Sequence, residues 1–285
     1  MHTHVRYDRA GSVAVLEIDN PPVNASTAAV RQGLLDGLAR ARDDAGLVGV
    51  VLAGAGRHFV SGSDLREFGG PIPGPQLPEV IAAIEAHPLP VVAALSGSTL
   101  GGGFELALGC DRRVALVGSR VGFPEVGLGM IPGAGGTQRT LRLCPPPRVL
   151  DLVVGAEPVD AEQALADGLV DEVVDGAAAD LRVRAVAVAR TATKRVLREL
   201  PVRGAAPGEL EETARRLLAR RGAEPAVVVA IGAVLTGTAV PAEQALRHER
   251  AEFTRLRMGA DAAARRHLFL ARRAARQAES TDNTL

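Results

Sequence analysis

The chain has 285 residues, no net charge and 47% hydrophobic residues, which is enough to bury a substantial core. Aromatic residues make up only 2%, so stacking platforms for single-stranded nucleic acid are not expected. Lys194 is the one lysine and lies outside any glycine-rich sequence, which argues against Schiff-base chemistry and against a Walker-type phosphate loop. Cys110 and Cys144 are the two cysteines, and they indicate a reduced protein without a disulfide framework or a zinc site.

From the sequence we expect neither a membrane-spanning segment nor a secretory signal. The first residues contain no apolar signal core, and no uninterrupted apolar stretch reaches about 18 residues. We therefore expect a soluble, cytoplasmic protein.

The charges are unevenly distributed along the chain. Residues 1–180 carry 13 arginines and 22 acidic residues, whereas residues 181–285 carry 20 basic and 11 acidic residues. The simpler interpretation is that charged helix faces help the two parts to pack. The alternative is a basic surface for an anionic ligand.

In chain order, the first two thirds of the sequence predict strands that alternate with helices. Residues 13–18 form a predicted strand, and a turn follows at 21–24. Residues 25–41 have apolar positions at helical spacing, with Ser26 as the predicted N-cap. Further buried strands are predicted at residues 47–52, 91–95 and 113–117. Glycine-rich turns join strands to helices, so the sequence predicts an α/β layered core with ligands bound at those turns.

The composition changes after residue 174, where alanine and arginine become dominant. Helices are predicted near residues 180–199, 209–221, 224–236, 241–257 and 261–277. We therefore expect an α/β core over residues 1–180 and a helical C-terminal part over 181–285, without long strands between residues 205 and 277.

Two glutamates lie twenty residues apart on glycine-rich segments. Glu105 ends the sequence LGGGFE, and Glu125 lies in FPEVGLGMIPG. Glycines let a backbone approach a ligand closely and point its N–H groups into a site. Two carboxylates there can share one water and divide acid and base duties. Either segment alone is more simply a flexible loop with a solvated glutamate, but the two together with FVSGSDL at residues 59–65 favour a catalytic site.

These segments resemble the crotonase (enoyl-CoA hydratase/isomerase) superfamily. Residues 57–65, RHFVSGSDL, are similar to its first oxyanion loop, and residues 133–139, GAGGTQR, are a fourth matching stretch in family order and spacing. Ser61 and Ser63 stand where alanine is usual, and Ser96 stands where asparagine is usual. These positions would act through the backbone, so we expect small effects. The resemblance implies a repeated ββα spiral core.

The resemblance also implies roles for individual residues. The N–H groups of Ser63 and Gly102 would form an oxyanion hole for a thioester oxygen. Glu125 would activate a water and protonate carbon 2, Glu105 would orient that water and share its proton, and the N–H of Gly133 would contact it. The implied reaction is addition of water across the 2,3 double bond of an enoyl-CoA to give a 3-hydroxyacyl-CoA. No resident cofactor is implied, because coenzyme A is part of the substrate.

The implied CoA-binding residues lie on the first oxyanion loop. Asp64 and Leu65 match the loop that grips the adenine end, Ser61 is a further CoA-binding candidate, and Arg57 and Arg66 are candidates for the phosphates. In the family, the region that matches the glycine- and proline-rich sequence GGPIPGP, which follows this loop here, borders the acyl pocket. This glycine- and proline-rich segment either forms a lid or rim of the pocket, or is an inert connector.

The last two predicted helices resemble the end of the hydratase part of bifunctional fatty-acid oxidation enzymes. A hydroxyacyl-CoA dehydrogenase domain follows in those proteins, but no Gly-x-Gly-x-x-Gly sequence occurs in these 285 residues. We therefore expect the hydratase part alone, with a separate dehydrogenase as a possible partner. Stand-alone relatives imply a homo-oligomer, either a trimer or a dimer of trimers.

Two other functions remain open at this point. Enoyl-CoA Δ3,Δ2-isomerisation needs only one glutamate that moves a proton between carbons 2 and 4. A non-catalytic CoA- or RNA-binding protein would use the arginine-rich C-terminal part. The intact glutamate pair and the scarcity of aromatic residues both argue against the second of these, so neither nucleic acid nor a membrane is an expected partner.

Overall fold

A six-stranded sheet forms the centre of the computed structural model, which describes residues 4–282 and the side chains of residues 4–275. The strands are β1 (Val5–Ala10), β2 (Val13–Ile18), β3 (Gly49–Gly54), β4 (Val91–Leu95), β5 (Ser98–Leu100), β6 (Arg112–Leu116), β7 (Arg120–Gly122), β8 (Val159–Asp160) and β9 (Glu172–Val174). The large sheet has the order β1-β2-β3-β4-β6-β9, and β1 is its antiparallel edge. All other neighbours in it are parallel. A small second sheet has the order β5-β7-β8.

Helices cover both faces of the large sheet and continue to the end of the described chain. They are α1 (Ala28–Asp43), α2 (Leu77–Ala86), α3 (Gly102–Gly109), α4 (Gly136–Thr140), α5 (Pro146–Gly155), α6 (Ala161–Ala166), α7 (Ala178–Thr191), α8 (Glu209–Arg221), α9 (Pro225–Ala239), α10 (Ala242–Arg257) and α11 (Ala260–Asp282). Short 3-10 helices lie at Leu65–Gly69, Glu125–Leu128 and Leu197–Glu199.

The sequences of the central strands are continuously apolar because both faces of the sheet are buried there. Val13 and Val15 of β2 pack in a cluster with Leu181 and Ala185 of α7. The alternate positions of the same strand, such as Leu16, point into the main core on the opposite face. The α/β core predicted from the sequence is therefore confirmed.

The predicted strands occur in the large sheet with shifts of one or two residues at their ends. The edge strand β1 was not predicted, because its sequence VRYDRA has an exposed, charged face and little apolar character. The strands of the small sheet were also missed, because two or three residues are too few to show a period of two.

The predicted N-cap of α1 was wrong. Thr27 is the N-cap, and its hydroxyl accepts the N–H of Val30 at 3.3 Å. Ser26 instead forms an isolated bridge with Ser63, in which its N–H donates to the carbonyl of Gly62 at 2.9 Å. The backbone of Ser26 is thus part of the scaffold of the first oxyanion loop, and its buried hydroxyl has no hydrogen-bond partner among the described residues.

The helical C-terminal part is confirmed, with all strands of the described residues ending by Val174. The main apolar core includes residues from this part, among them Leu217, Val227 and Phe253, together with Leu141 and Val149. The boundary near residue 180 stays a prediction. Among the described residues, no helix is both long and apolar enough to cross a membrane.

Replacement of the two candidate capping residues tests the corrected start of α1. Thr27→Ala should lower the free energy of unfolding by about 1 kcal/mol, because it removes the acceptor for an N–H at the helix start. Ser26→Ala should lower it by less, since this hydroxyl makes no hydrogen bond. Urea denaturation followed by circular dichroism measures both values, and a larger loss for Ser26→Ala would contradict the assignment.

Candidate active site

The glycine turn between β5 and α3 brings the predicted site residues together. Gly101 has φ of +50°, a conformation that favours glycine, and its N–H donates to the carbonyl of Gly122 at 2.9 Å. A Cβ at Gly101 would lie 2.7 Å from Oε1 of Glu125, and a Cβ at Gly102 would clash with the hydroxyl of Ser63. The absence of side chains therefore lets one turn contact both a glutamate and the first oxyanion loop.

Ser63 and Gly102, the predicted oxyanion donors, are neighbours in space. The backbone around Ser63 is fixed by the bridge to Ser26, where the N–H of Asp64 donates to the Ser26 carbonyl at 3.3 Å. Neither Ser63 nor Gly102 uses its own N–H in a backbone hydrogen bond to another described residue. Both N–H groups are thus available to an oxygen of a bound ligand, and their role as donors stays a prediction.

Glu105 lies in the first turn of α3 and is 4% exposed. Its Oε1 accepts the N–H of Ala134 at 2.6 Å and the N–H of Gly136 at 2.9 Å. Burial raises the pKa of Glu105, and these two donors together with Arg139 and Arg250 oppose that rise. Hydrogen bonds to the charged form favour ionisation, so Glu105 is well placed to be the carboxylate of the pair.

Glu125 begins the short 3-10 helix after β7 and is 9% exposed. Its Oε2 is buried and has no hydrogen-bond partner among the described residues. Burial raises the pKa of Glu125 well above its usual range, and the charges of Glu105 and Glu249 raise it further. Two coupled carboxyl groups with such different surroundings favour one shared proton that rests on Glu125.

Gly133, the predicted water contact, lies beside the residues that Glu105 binds. A Cβ at Gly133 would clash with the ring of Phe253, and its carbonyl accepts a hydrogen bond from Arg250 Nη1 at 3.2 Å. Phe253 also packs edge-on against Phe68, with 5.8 Å between ring centroids. Helix α10 therefore covers the loop that carries Gly133.

Glu249 of α10 is a third buried carboxylate at this site, and the sequence analysis did not identify it. It is fully buried, and it accepts the N–H of Gly135 at 2.6 Å, the N–H of Thr137 at 3.0 Å and the Thr137 hydroxyl. Burial, followed by the charge of Glu105, raises the pKa of Glu249, whereas the hydrogen bonds from Thr137 and Gly135 and the charge of Arg139 oppose that rise. Within the described residues, no group of three His, Cys, Asp or Glu side chains is arranged to hold a metal ion.

A signal for Glu249 was present in the sequence. Ala245, Phe253 and Leu256 are buried at helical spacing, and Glu249 lies on the same stripe of α10. A single glutamate inside an apolar stripe differs from the charged faces of the other C-terminal helices. Arginine and glutamate are common throughout this part of the chain, and their abundance obscures the pattern.

The five predicted CoA-binding residues have different surroundings, and their role stays a prediction. Asp64 caps the 3-10 helix through the N–H of Arg66, and its carboxylate also pairs with the Arg66 guanidinium at 2.6 Å. Leu65 packs against the main core. Ser61 donates its N–H to the carbonyl of Val23, outside the turn that carries Gly102. The fifth of these residues, Arg57, is exposed at the start of the loop.

Helix α11 borders this loop, which the sequence did not predict. Arg266 donates to the carbonyl of Phe68 at 3.1 Å, and Arg257 at the end of α10 donates to the carbonyls of Phe68 and Gly70. Side-chain hydrogen bonding by Arg66 lowers the pKa of Asp64, and Arg273 adds to this effect by its charge. The C-terminal helices thus place several cations next to the first oxyanion loop.

A profile of the enoyl-CoA hydratase/isomerase family matches residues 8–200. The chain therefore belongs to this family, and the crotonase-like α/β fold expected from the motifs is confirmed.

Relatives and solved structures agree with this assignment. The peroxisomal bifunctional enzyme of Danio rerio is 48% identical over 164 residues, which cover 58% of this chain and 23% of the relative. The peroxisomal bifunctional enzyme of Cavia porcellus is 35% identical over 274 residues, which cover 93% of this chain and 37% of the relative. The chain thus spans less than two fifths of the length of these two proteins. The crystal structure of enoyl-CoA hydratase from Bacillus anthracis superposes with a TM-score of 0.61 at 28% identity, and covers 88% of this chain and 89% of that chain.

The protonation of Glu125 in the folded protein can be tested without a substrate. The pKa of Glu125 is higher in the folded than in the unfolded protein, so the protonated carboxyl group stabilises the fold at low pH. This stabilisation is lost as the pH rises from the pKa of the unfolded state through that of the folded state. Glu125→Gln cannot ionise, so its free energy of unfolding relative to the unsubstituted protein should rise as the pH increases above about 4.3, the ordinary pKa of a glutamate. Urea denaturation across this range measures the difference. Glu162→Gln, an exposed change on α6, serves as the reference, and parallel curves for the two variants would contradict the assignment.

Proposed function

We propose that this protein catalyses the addition of water to a 2-enoyl-CoA to give a 3-hydroxyacyl-CoA. The observation that supports this most is the arrangement around the glycine turn. Glu105 and Glu125 lie together there in different protonation environments, beside two N–H groups of Ser63 and Gly102 that make no other backbone hydrogen bond. The naming of the Bacillus anthracis structure as an enoyl-CoA hydratase supports the same activity.

The N–H groups would stabilise the charge that develops on the thioester oxygen. Attack of water at carbon 3 moves the electrons of the double bond towards the carbonyl and gives an enolate. Two fixed N–H donors aimed at this oxygen lower the barrier without reorganisation, and each is worth about 2.7–4 kcal/mol in a comparable hole. Ser63 and Gly102 are suited to this task because their positions are set by the backbone.

The two glutamates would divide the proton transfers. Glu105, as the carboxylate, accepts a proton from water while the hydroxyl oxygen bonds to carbon 3. Glu125, as the acid, donates its proton to carbon 2 when the enolate collapses, and exchange through a new water restores the starting state. The resemblance assigned both duties to Glu125, whereas the two hydrogen bonds to Glu105 favour this division.

The remaining parts of the proposal concern the CoA moiety and the partners. The arginines next to the first oxyanion loop, Arg66, Arg266 and Arg273 among them, supply positive charge suited to the CoA phosphates. No resident cofactor is needed for this reaction. Because the relatives are named bifunctional enzymes, a hydroxyacyl-CoA dehydrogenase that consumes the product is a suitable partner. A cytoplasmic location is part of the same proposal.

Loss of the conjugated absorbance of crotonyl-CoA tests the function directly. Glu125→Gln should reduce hydration by about 10²- to 10⁴-fold, because it keeps the shape of the side chain but removes the proton donor. Glu105→Gln should also impair hydration, since the amide cannot accept the proton of water. Binding of a CoA thioester should change little in both variants, because the oxyanion donors are backbone groups.

Glu162→Gln on α6 is the matched control and should retain full activity. Unchanged turnover in Glu125→Gln would contradict the two-carboxylate mechanism. The isomerase alternative is tested with a 3-enoyl-CoA as the substrate. It would be favoured if one of the two variants, Glu105→Gln or Glu125→Gln, still isomerised this substrate while neither variant hydrated crotonyl-CoA.

We also propose that the protein is a homo-oligomer, either a trimer or a dimer of trimers. Val228 and Leu235 are exposed apolar residues seven positions apart on α9, which suits a contact between subunits. Light scattering should therefore give a mass of three or six chains. A mass of 29.5 kDa, that of one chain, would rule the oligomer out.

A further inference from the structure

Residues 134–137 are held between two carboxylates that bind alternate N–H groups. The N–H groups of Ala134 and Gly136 donate to Glu105, at 2.6 and 2.9 Å. The N–H groups of Gly135 and Thr137 donate to Glu249, at 2.6 and 3.0 Å. The two carboxylates therefore fix one short segment through four consecutive N–H groups.

Glu249 is a distant residue in the chain but a direct part of this arrangement. It is separated from Gly135 by 114 residues and is fully buried on α10. The Thr137 hydroxyl donates to it and accepts a hydrogen bond from Gln138 Nε2 at 2.8 Å. Every described partner of Glu249 is thus a donor, which is an environment built for a carboxylate.

We propose that Glu249 is a positioning residue for hydration, which holds residues 134–137 against Glu105 and thereby fixes the carboxylate that accepts the proton of water. This inference rests on the proposed function. With Oε1 of Glu105 bound to Ala134 and Gly136, its Oε2 is left for water. Loss of the hydrogen bonds to Glu249 would let this segment move, and an error of about 1 Å in the position of a reacting group can reduce the rate by about 10²-fold.

Glu249 also acts through its charge. It faces Glu105 of α3, Glu125 of the 3-10 helix and Arg139 of α4, with Arg250 next to it on α10. Its charge adds to that of Glu105 in raising the pKa of Glu125. Removal of this charge should therefore move the alkaline limb of the rate profile, where Glu125 loses its proton, to lower pH.

The test is Glu249→Gln, with Glu243→Gln as the matched control. Both changes lie on α10 and remove one carboxylate, but Glu243 is exposed and pairs only with Arg247 among the described residues. Glu249→Gln should lower kcat for crotonyl-CoA by between about 10- and 100-fold with KM within about twofold, and should move the alkaline limb to lower pH. Glu243→Gln should change neither kcat nor the pH profile.

The double variant Glu105→Gln/Glu249→Gln separates positioning from a general loss of structure. If Glu249 acts through Glu105, its replacement should add little to the defect of Glu105→Gln. Additive losses, or an unchanged kcat in an active protein, would overturn the inference. Thr137→Val removes one of the three hydrogen bonds to Glu249 and should cause a smaller loss of kcat. This variant provides the test if Glu249→Gln does not fold.

Hydrogen exchange gives a result that does not depend on turnover. The amides of residues 134–137 should exchange faster in Glu249→Gln than in Glu243→Gln, because two of them lose a buried acceptor or its charge. Unchanged exchange would overturn the inference even if the protein proved unable to hydrate crotonyl-CoA. Inactivity of the unsubstituted protein with faster exchange in the variant would instead contradict the proposed function alone.

Discussion

The site depends on the burial of carboxylates against backbone N–H groups. Removal of a carboxylate from water costs several kcal/mol, and each charge-assisted hydrogen bond returns about 1.5–3 kcal/mol. Glu105 and Glu249 receive such bonds from consecutive residues of one segment, whereas Oε2 of Glu125 receives none. The same segment therefore favours the charged forms of Glu105 and Glu249 and gives no donor to Oε2 of Glu125.

This constraint explains why glycine is concentrated around the site. An N–H group can reach a buried carboxylate only where the backbone approaches it closely, and a side chain would prevent that approach. A Cβ at Gly136 would lie 3.0 Å from Oε1 of Glu105, close to the acceptor itself. At Gly101 it would meet Glu125 instead. The glycines thus bring the backbone within reach of both catalytic candidates.

The C-terminal helices are joined to the chemistry by the same interactions. Glu249, Arg250 and Phe253 of α10 contact residues 133–137 directly, and Arg257 and Arg266 hold the carbonyls that follow the first oxyanion loop. The helical C-terminal part differs from the core in composition, but it packs directly against the candidate site. Helix α10 contacts the same segment that donates to Glu105, which links the stability of these helices to the geometry of Glu105.

The sequence by itself determined the strands of the α/β core, the C-terminal helices and the two glutamates with their glycine turns. Local patterns specify these features, because apolar runs and glycine clusters act over a few residues. Only the tertiary structure decided how the surroundings of the two glutamates differ, where the backbone of Ser26 is used and which N–H groups Glu249 binds. Each of these depends on groups far apart in the chain, since Glu249 meets Gly135 across 114 residues. Burial and hydrogen-bond partners at such separations arise only when the chain has folded.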